Sequence, residues 1–391
     1  MALNDVIFIK GAGGLGRPLA GEDHISGMVF WLTDANLPSG YSTSDRVKAL
    51  FSIDDAQAQG ITEGSATNGV LWYHINEFFK AAPQGVLYAG IYGGVTATVA
   101  YTDIELVQNF ADGKIRQMGV FDTTTFATGS VTALQVSCSA LETAHKPTQV
   151  IYGADFSAAT IGALPDLRTL NSKDVSVTIG EDGGATGAAL AVSEGYSITD
   201  LGSALGQVAF AKVNESTEWI EKFQVDDGAE FNVPAFATGN LVNSQSDALL
   251  ATLKTNGYMF IRKHVGLAGT YQENSATAIT TSNDFATIEN GRTMNKAVRG
   301  IRTFMLPNLS SPVFVNANGQ LTEGTVAKFK NDTARALEQM DRDEEISAFE
   351  VIINPLQDVL STSEVEITVK IIPVGVARQI KINIGFTVSI A

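Results

Sequence analysis

The stretch from Glu364 to Ala391 decides how this chain is read. It runs Glu364-Val-Glu-Ile-Thr-Val-Lys-Ile-Ile-Pro373, then Val374-Gly-Val-Ala-Arg378, then Gln379-Ile-Lys-Ile-Asn-Ile-Gly-Phe-Thr-Val-Ser-Ile-Ala391. In the first run Val365, Ile367, Val369 and Ile371 alternate with polar residues. In the second, Ile380, Ile382, Ile384, Phe386, Val388 and Ile390 alternate with Gln379, Lys381, Asn383, Gly385, Thr387 and Ser389. A period of two in β-branched residues predicts strands. Pro373 and Gly375 put a bend between the two runs.

Two readings of the second run compete. In the first it pairs with 364–372 inside its own domain. In the second it leaves the domain and completes a neighbour's sheet, where backbone hydrogen bonds supply affinity and alternate side-chain pockets supply specificity. Burying its six apolar side chains contributes ~9–18 kcal/mol gross, before the entropy of ordering is subtracted.

The remaining chain is long enough for two or three domains: 391 residues, 45% apolar and 17% charged. One cysteine, Cys138, excludes a disulfide framework and a cysteine-based metal site within the chain, and its apolar surroundings predict a core residue. The net charge of −16 is uneven. Residues 1–239 hold 12 basic and 27 acidic side chains, a net of −15; residues 240–391 hold 14 and 15, a net of −1. Such a balance excludes coating of nucleic acid, which needs clustered Lys and Arg. It predicts an acidic solvent-facing part followed by a neutral part that packs against protein. The first residues do not read as a signal peptide, and the longest uncharged run, 81–102, is broken by Pro83 and four glycines. A soluble protein without membrane insertion is expected.

Residues 5–10 read as a short apolar strand. Gly11-Ala-Gly13-Gly-Leu-Gly16 follows and fits the dinucleotide-binding pattern, with Asp34 at a workable distance for a ribose contact. Pro18, Gly21 and Gly27 argue against the helix that this motif requires and for a flexible linker behind an N-terminal β arm. From there strand-like and helix-like segments alternate. Strands are expected over 28–32, 86–92, 115–121, 148–152 and 174–179, and helices over 44–51, 68–81, 103–111, 130–145 and 197–213. This is an α/β layer pattern. Further on, 247–256, 284–302 and 325–340 read as helices, with strands over 258–262 and 348–353. In the 325–340 helix Val326, Phe329, Thr333, Leu337 and Met340 form one stripe, with Lys328, Lys330, Asp332, Arg335 and Glu338 off it. His74 and His145 fall on helices without ligand partners and read as structural.

The segments Leu164-Pro-Asp-Leu-Arg-Thr-Leu-Asn-Ser-Lys-Asp-Val-Ser-Val-Thr-Ile-Gly180 and Leu201-Gly-Ser-Ala-Leu-Gly-Gln-Val-Ala-Phe-Ala-Lys-Val-Asn-Glu-Ser216 resemble tail sheath proteins of contractile bacteriophages. The type is the Mu-like one common in phages of Bacteroidetes hosts, related to contractile injection system sheaths. Gly13-Gly-Leu-Gly-Arg-Pro-Leu-Ala-Gly-Glu-Asp-His-Ile25 is similar to the same proteins, and the last third resembles their inner domain.

The resemblance implies an α/β (α+β) multi-domain sheath fold. Its parts would be an N-terminal arm and linker (1–22), an outer acidic α/β part (23–239), an inner tube-facing domain (240–373) and a C-terminal β arm (374–391). It further implies stacked hexameric rings around a tail tube, with neighbours exchanging strands through Val6, Ile7, Phe8 and Ile9 at one end and the 379–390 run at the other. Lys328, Lys330 and Arg335 become the expected contact with an acidic tube. Expected partners are copies of itself, the tube protein, and baseplate and terminator proteins. The expected location is the virion tail, assembled in the host cytoplasm.

No Walker, His-Glu-x-x-His, Cys-x-x-Cys or Gly-x-Ser-x-Gly motif occurs. No catalytic residue, cofactor or metal is therefore expected. The acidic pairs Asp226-Asp227 and Asp341-Arg-Asp343 could hold a cation but read first as solvated charge. The rival is a nicotinamide-dependent oxidoreductase using Gly11, Gly13 and Gly16. A third reading is another tail protein, of tube or baseplate.

Overall fold

A computed structural model describes residues 21–382 and 384–386. Its centre is explained by strands that are apolar on both faces. In β1 (Ile25–Trp31) Val29 and Trp31 point to one side, Met28 and Phe30 to the other, and all are buried. Strands of this kind need cover above and below, which a parallel sheet with helices on both faces provides.

The sheet has eight strands. β2 is Val47–Leu50, β3 Val86–Tyr92, β4 Gln117–Thr125, β5 Gln149–Asp155, β6 Val175–Thr178, β9 Tyr258–Lys263 and β10 Thr270–Glu273. Their order is β10-β9-β6-β5-β4-β1-β3-β2. The six inner strands are parallel, and β2 and β10 close the two edges antiparallel. Between β6 and β9, β7 (Gly180–Asp182) and β8 (Pro234–Phe236) form a small antiparallel pair.

One face is covered by α3 (Asp103–Phe110), α4 (Thr128–Thr143) and α7 (Asp247–Thr255). Cys138 is buried there, as expected. The other face carries α1 (Ile53–Ala58), α2 (Gly69–Ala81), α5 (Thr186–Glu194) and α6 (Leu201–Phe210). Helices α2 and α6 approach so closely that a Cβ on Gly206 would lie 2.6 Å from the Phe78 carbonyl oxygen. Glycine is what permits that crossing.

The C-terminal unit is separate in its core. It contains α8 (Ile288–Met305), α9 (Glu323–Arg342), β11 (Ile346–Ile352), the short α10 (Val359–Thr362) and β12 (Thr368–Pro373). Phe329, Leu337 and Met340 of α9 pack with Ile346 and Val351, and Thr333 is buried beside them. The expected stripe of α9 is thus its inner face, with Val326 at the margin.

Three expectations change. Residues 44–51 are not a helix. Ser42 and Asp45 exchange backbone hydrogen bonds of 3.1 Å, making a turn, and β2 follows as an edge strand. The helix cap lies later, where Ser52 accepts from the Asp55 amide at 3.2 Å to open α1. His145 lies beyond the end of α4, with φ of 62°. Residues 240–283, grouped with the inner part by their charge, carry β9 and β10 and complete the large sheet. Tyr258 and Phe260 are core residues there, and parallel pairing of β9 with β6 outweighs any charge boundary.

Buried carboxylates follow from this packing. Glu181 in β7 is 5% exposed; burial, with Asp182, Asp155 and Asp200 nearby, raises its pKa to about 7 against the hydrogen bond from the Ile198 amide. The folded state therefore holds the proton that the unfolded chain releases near pH 4.5. Stability from this group is present below pH 4.5 and is lost as pH rises to about 7. Glu181→Gln is expected to stabilise the protein at pH 8 by on the order of 1–3 kcal/mol, and not at pH 4.5. Melting curves of parent and variant at both pH values test this; an equal difference at the two would refute it.

Candidate assembly surfaces

β11 and β12 form a two-stranded antiparallel sheet, with Phe349 opposite Ile371 and Val351 opposite Val369. These side chains pack toward the α9 side, while Glu350 and Lys370 meet on the outer face at 3.6 Å. Among the described residues no third strand joins this sheet, so both outer edges keep unpaired backbone donors and acceptors. Of the stretch 364–372, residues 368–372 fall in β12, whose partner is β11, and the described residues of the terminal run do not pair with it. Val365 and Ile367 pack on the unit's core ahead of it.

Beyond β12 the chain turns back to the large unit. The Arg378 guanidinium donates to Glu218 Oε1 at 3.0 Å, to Ser275 Oγ at 3.1 Å and to Glu289 Oε1. Glu289 stands in the first turn of α8, where the helix dipole favours a carboxylate, and is 3% exposed. Its Oε2 is buried without a hydrogen-bond partner. The two Arg378 ion pairs hold the root of the arm in one place. Immediately after it Ile380 and Ile382 are each 80% exposed, Ile384 is 96% exposed, and Phe386 is fully exposed. The described part of the run forms no strand. Val388 and Ile390, like Val6, Ile7, Phe8 and Ile9 of the N-terminal arm, lie outside the described residues.

Where the N-terminal segment enters, Asp23 accepts from Lys296 at 2.7 Å, and Lys296 also reaches Glu345 at 2.5 Å. Arg292, 3% exposed, donates to the carbonyls of Ala211 and Lys212 at 3.2 Å and of Asp23 at 3.3 Å. Both arm roots therefore join α8, the helix that links the two units. Residues such as Arg378, Glu218 and Glu289 carry no motif, and sequence reading missed them because Arg378 and Glu218 stand 160 positions apart.

Helix α9 presents Lys328, Lys330 and Arg335 to solvent. They do not form one patch. Lys328 and Arg335 share a flank two turns apart, and Lys330 lies roughly 200° round the helix from Lys328. Arg335 sits 5.3 Å from the Phe304 ring and 3.9 Å from Asp332.

Gly11, Gly13 and Gly16 lie outside the described residues. At the carboxyl ends of β1 and β4, where a doubly wound sheet receives a dinucleotide, the cavity is about 30 Å3 and is walled by Phe30, Trp31, Phe121 and Tyr196. Asp34 pairs with Arg46 at 2.6 Å. His74 is an aromatic-packed core residue, 4.4 Å from the Phe121 ring, and burial lowers its pKa to about 3. Among the described residues no group of three His, Cys, Asp or Glu could hold a metal, and no helix is long and apolar enough to cross a membrane.

The Arg378 contacts predict a stability cycle. Arg378→Ala leaves Glu289 buried without its cation and is expected to cost ~1–3 kcal/mol, discounted because the arginine is one-third exposed. Adding Glu289→Gln should recover much of that loss. Denaturant unfolding of the two single variants and the double variant measures the coupling; additive effects would show that the pair does not act as a unit.

Family models match most of the chain: DUF2586, N-terminal domain, over residues 3–276, and DUF2586, C-terminal domain, over residues 284–391. The gap between them falls just before α8, where the two hydrophobic cores separate. None of the curated proteins compared with the chain matches it. Solved structures do. The helical sheath of the anti-feeding prophage in its contracted state superposes over 100% of both chains with a TM-score of 0.63 at 14% identity. The contracted sheath complex of the extracellular contractile injection system PVC covers 99% of both, with a TM-score of 0.60 at 13% identity. The sheath tail protein of Listeria innocua gives a TM-score of 0.55 at 10% identity, over 91% of this chain and 96% of that one. Together the matches show that the chain belongs to the DUF2586 family and has the fold of contractile sheath proteins.

Proposed function

We propose that this protein is the sheath subunit of a contractile tail or injection machine, a structural protein and not an enzyme. It polymerises as stacked hexameric rings around a tail tube and contracts to drive that tube through a target envelope. The observation that carries the reading is the terminal run, whose apolar side chains Ile380, Ile382, Ile384 and Phe386 are exposed, in a chain whose two-stranded sheet has both edges open among the described residues. Strand addition from a neighbour satisfies both at once. The four exposed side chains Ile380, Ile382, Ile384 and Phe386 alone contribute ~6–12 kcal/mol gross when buried. The N-terminal arm, with Val6, Ile7, Phe8 and Ile9, supplies the second added strand. The energy for contraction is stored in subunit packing, so no nucleotide or cofactor is consumed.

In this reading the inner domain begins near residue 284 and faces the tube, and the larger unit forms the outside. Partners are further copies of the chain, the tube protein, and baseplate and terminator proteins. The place of action is the virion tail, after assembly in the host cytoplasm.

Deleting 379–391 is expected to leave a folded subunit that forms no cylinders. Negative-stain microscopy beside circular dichroism reads both properties; long sheaths from the truncated chain would reject strand donation. Reversing Lys328, Lys330 and Arg335 to glutamate is expected to abolish co-assembly with the tube while self-assembly continues. Retained tube binding in a co-sedimentation assay would reject that helix as the tube contact.

A further inference from the structure

A cavity of about 250 Å3 opens between the two units, beside α8. Glu22, Asp23, Arg116, Lys296, Arg299 and Arg302 contribute to its wall. Their charges do not balance. Glu22 is paired with Arg116, and Asp23 with Lys296, which Glu345 also meets. Arg299 and Arg302 have no carboxylate partner among the described residues. They lie three positions apart on α8 and so face the same side. Arg302 is exposed, whereas Arg299 is largely withdrawn from solvent and its Nη1 is buried with no acceptor. Burial, and then the Arg116 guanidinium, push the Arg299 pKa down to about 9.

A desolvated guanidinium without a hydrogen-bonded counter-ion is unfavourable; the Arg116 and Arg292 cations add to that cost, and the Asp23 and Glu22 carboxylates offset it in part. An anion in the cavity removes both penalties. The protein carries a net charge of −16, so bulk attraction does not explain a local cationic pocket. The planar fork of an arginine matches the oxygens of phosphate and carboxylate in two parallel hydrogen bonds.

We propose that this cavity is an oxyanion-binding site, in which Arg299 and Arg302, with Arg116 beside them, hold one phosphate or carboxylate group. Two sources offer that chemistry: a free anion, or an acidic side chain of a second copy of the chain. The acidic surplus of residues 1–239 makes the second source abundant in any assembly. Only that second source rests on the sheath reading; the site itself does not.

The test uses the full chain and inorganic phosphate as the probe. Melting temperatures are compared in phosphate and in chloride at matched ionic strength. Phosphate is expected to raise the melting temperature saturably by a few degrees. Arg299→Met should abolish that rise and leave the melting temperature in chloride unchanged or higher. Arg302→Gln, on an exposed position, should fold normally and raise the half-saturating phosphate concentration about tenfold. Lys330→Met, on α9, should leave the phosphate effect intact and so controls for general charge. Equal melting temperatures of the parent in the two salts, or an undiminished rise in Arg302→Gln, would overturn the site. If phosphate also slows polymerisation, the natural ligand is the carboxylate of a neighbouring copy. If polymerisation is indifferent to phosphate while the thermal shift stands, the ligand is a free anion. Failure of the parent to polymerise counts against the sheath reading, and the thermal result still decides the site.

Discussion

A two-stranded sheet in water is marginal on its own, and the C-terminal unit is built around one. Helix α9 covers one face of β11–β12 and supplies the apolar side chains that hold it. Nothing among the described residues pairs with its edges. The side chains of Ile380, Ile382, Ile384 and Phe386 stand in solvent as well. On the proposed reading, strand addition from a neighbouring copy meets both needs.

That arrangement demands a firm base, and α8 provides it with charge more than with apolar burial. Arg292 is sunk among the carbonyls of Ala211, Lys212 and Asp23. Lys296 bridges Asp23 to Glu345 across the units. Glu289 receives Arg378 from the arm. Buried ion pairs contribute little net stability against well-packed apolar contacts, but they fix geometry, because a displaced charge is left unpaired. The ion pairs of Asp23 and of Arg378 both end on α8.

The large unit has the opposite character. Its sheet is covered by helices on both faces, with the antiparallel strands β2 and β10 at its two edges. At the carboxyl ends of β1 and β4 the crevice is narrow, with Phe30, Trp31, Phe121 and Tyr196 in its wall. A doubly wound sheet does not by itself imply an enzyme.

Much of this was legible in the residues. Short apolar runs located β1, β3, β5 and β9, and an alternating run located β6, to within a few positions, because strands buried on both faces need apolar residues at successive positions. The helical stripe at Phe329, Thr333, Leu337 and Met340 identified the inner face of α9. The alternation from Ile380 onward predicts a strand, whereas its described part is solvent-exposed and forms none. Tertiary structure alone decided the rest. Whether Ser44-Asp45 capped a helix or turned into β2 depended on β3 being there to accept an edge strand. Whether 240–283 joined the first or the second unit depended on β6 offering β9 a parallel partner. The meeting of Arg378 with Glu218 and Glu289, and of Arg299 with Arg116, has no counterpart in local sequence. Periodicity records only which side of an element faces away from water. Charge pairing across distant positions is fixed by three-dimensional distance, and that exists only once the chain has folded.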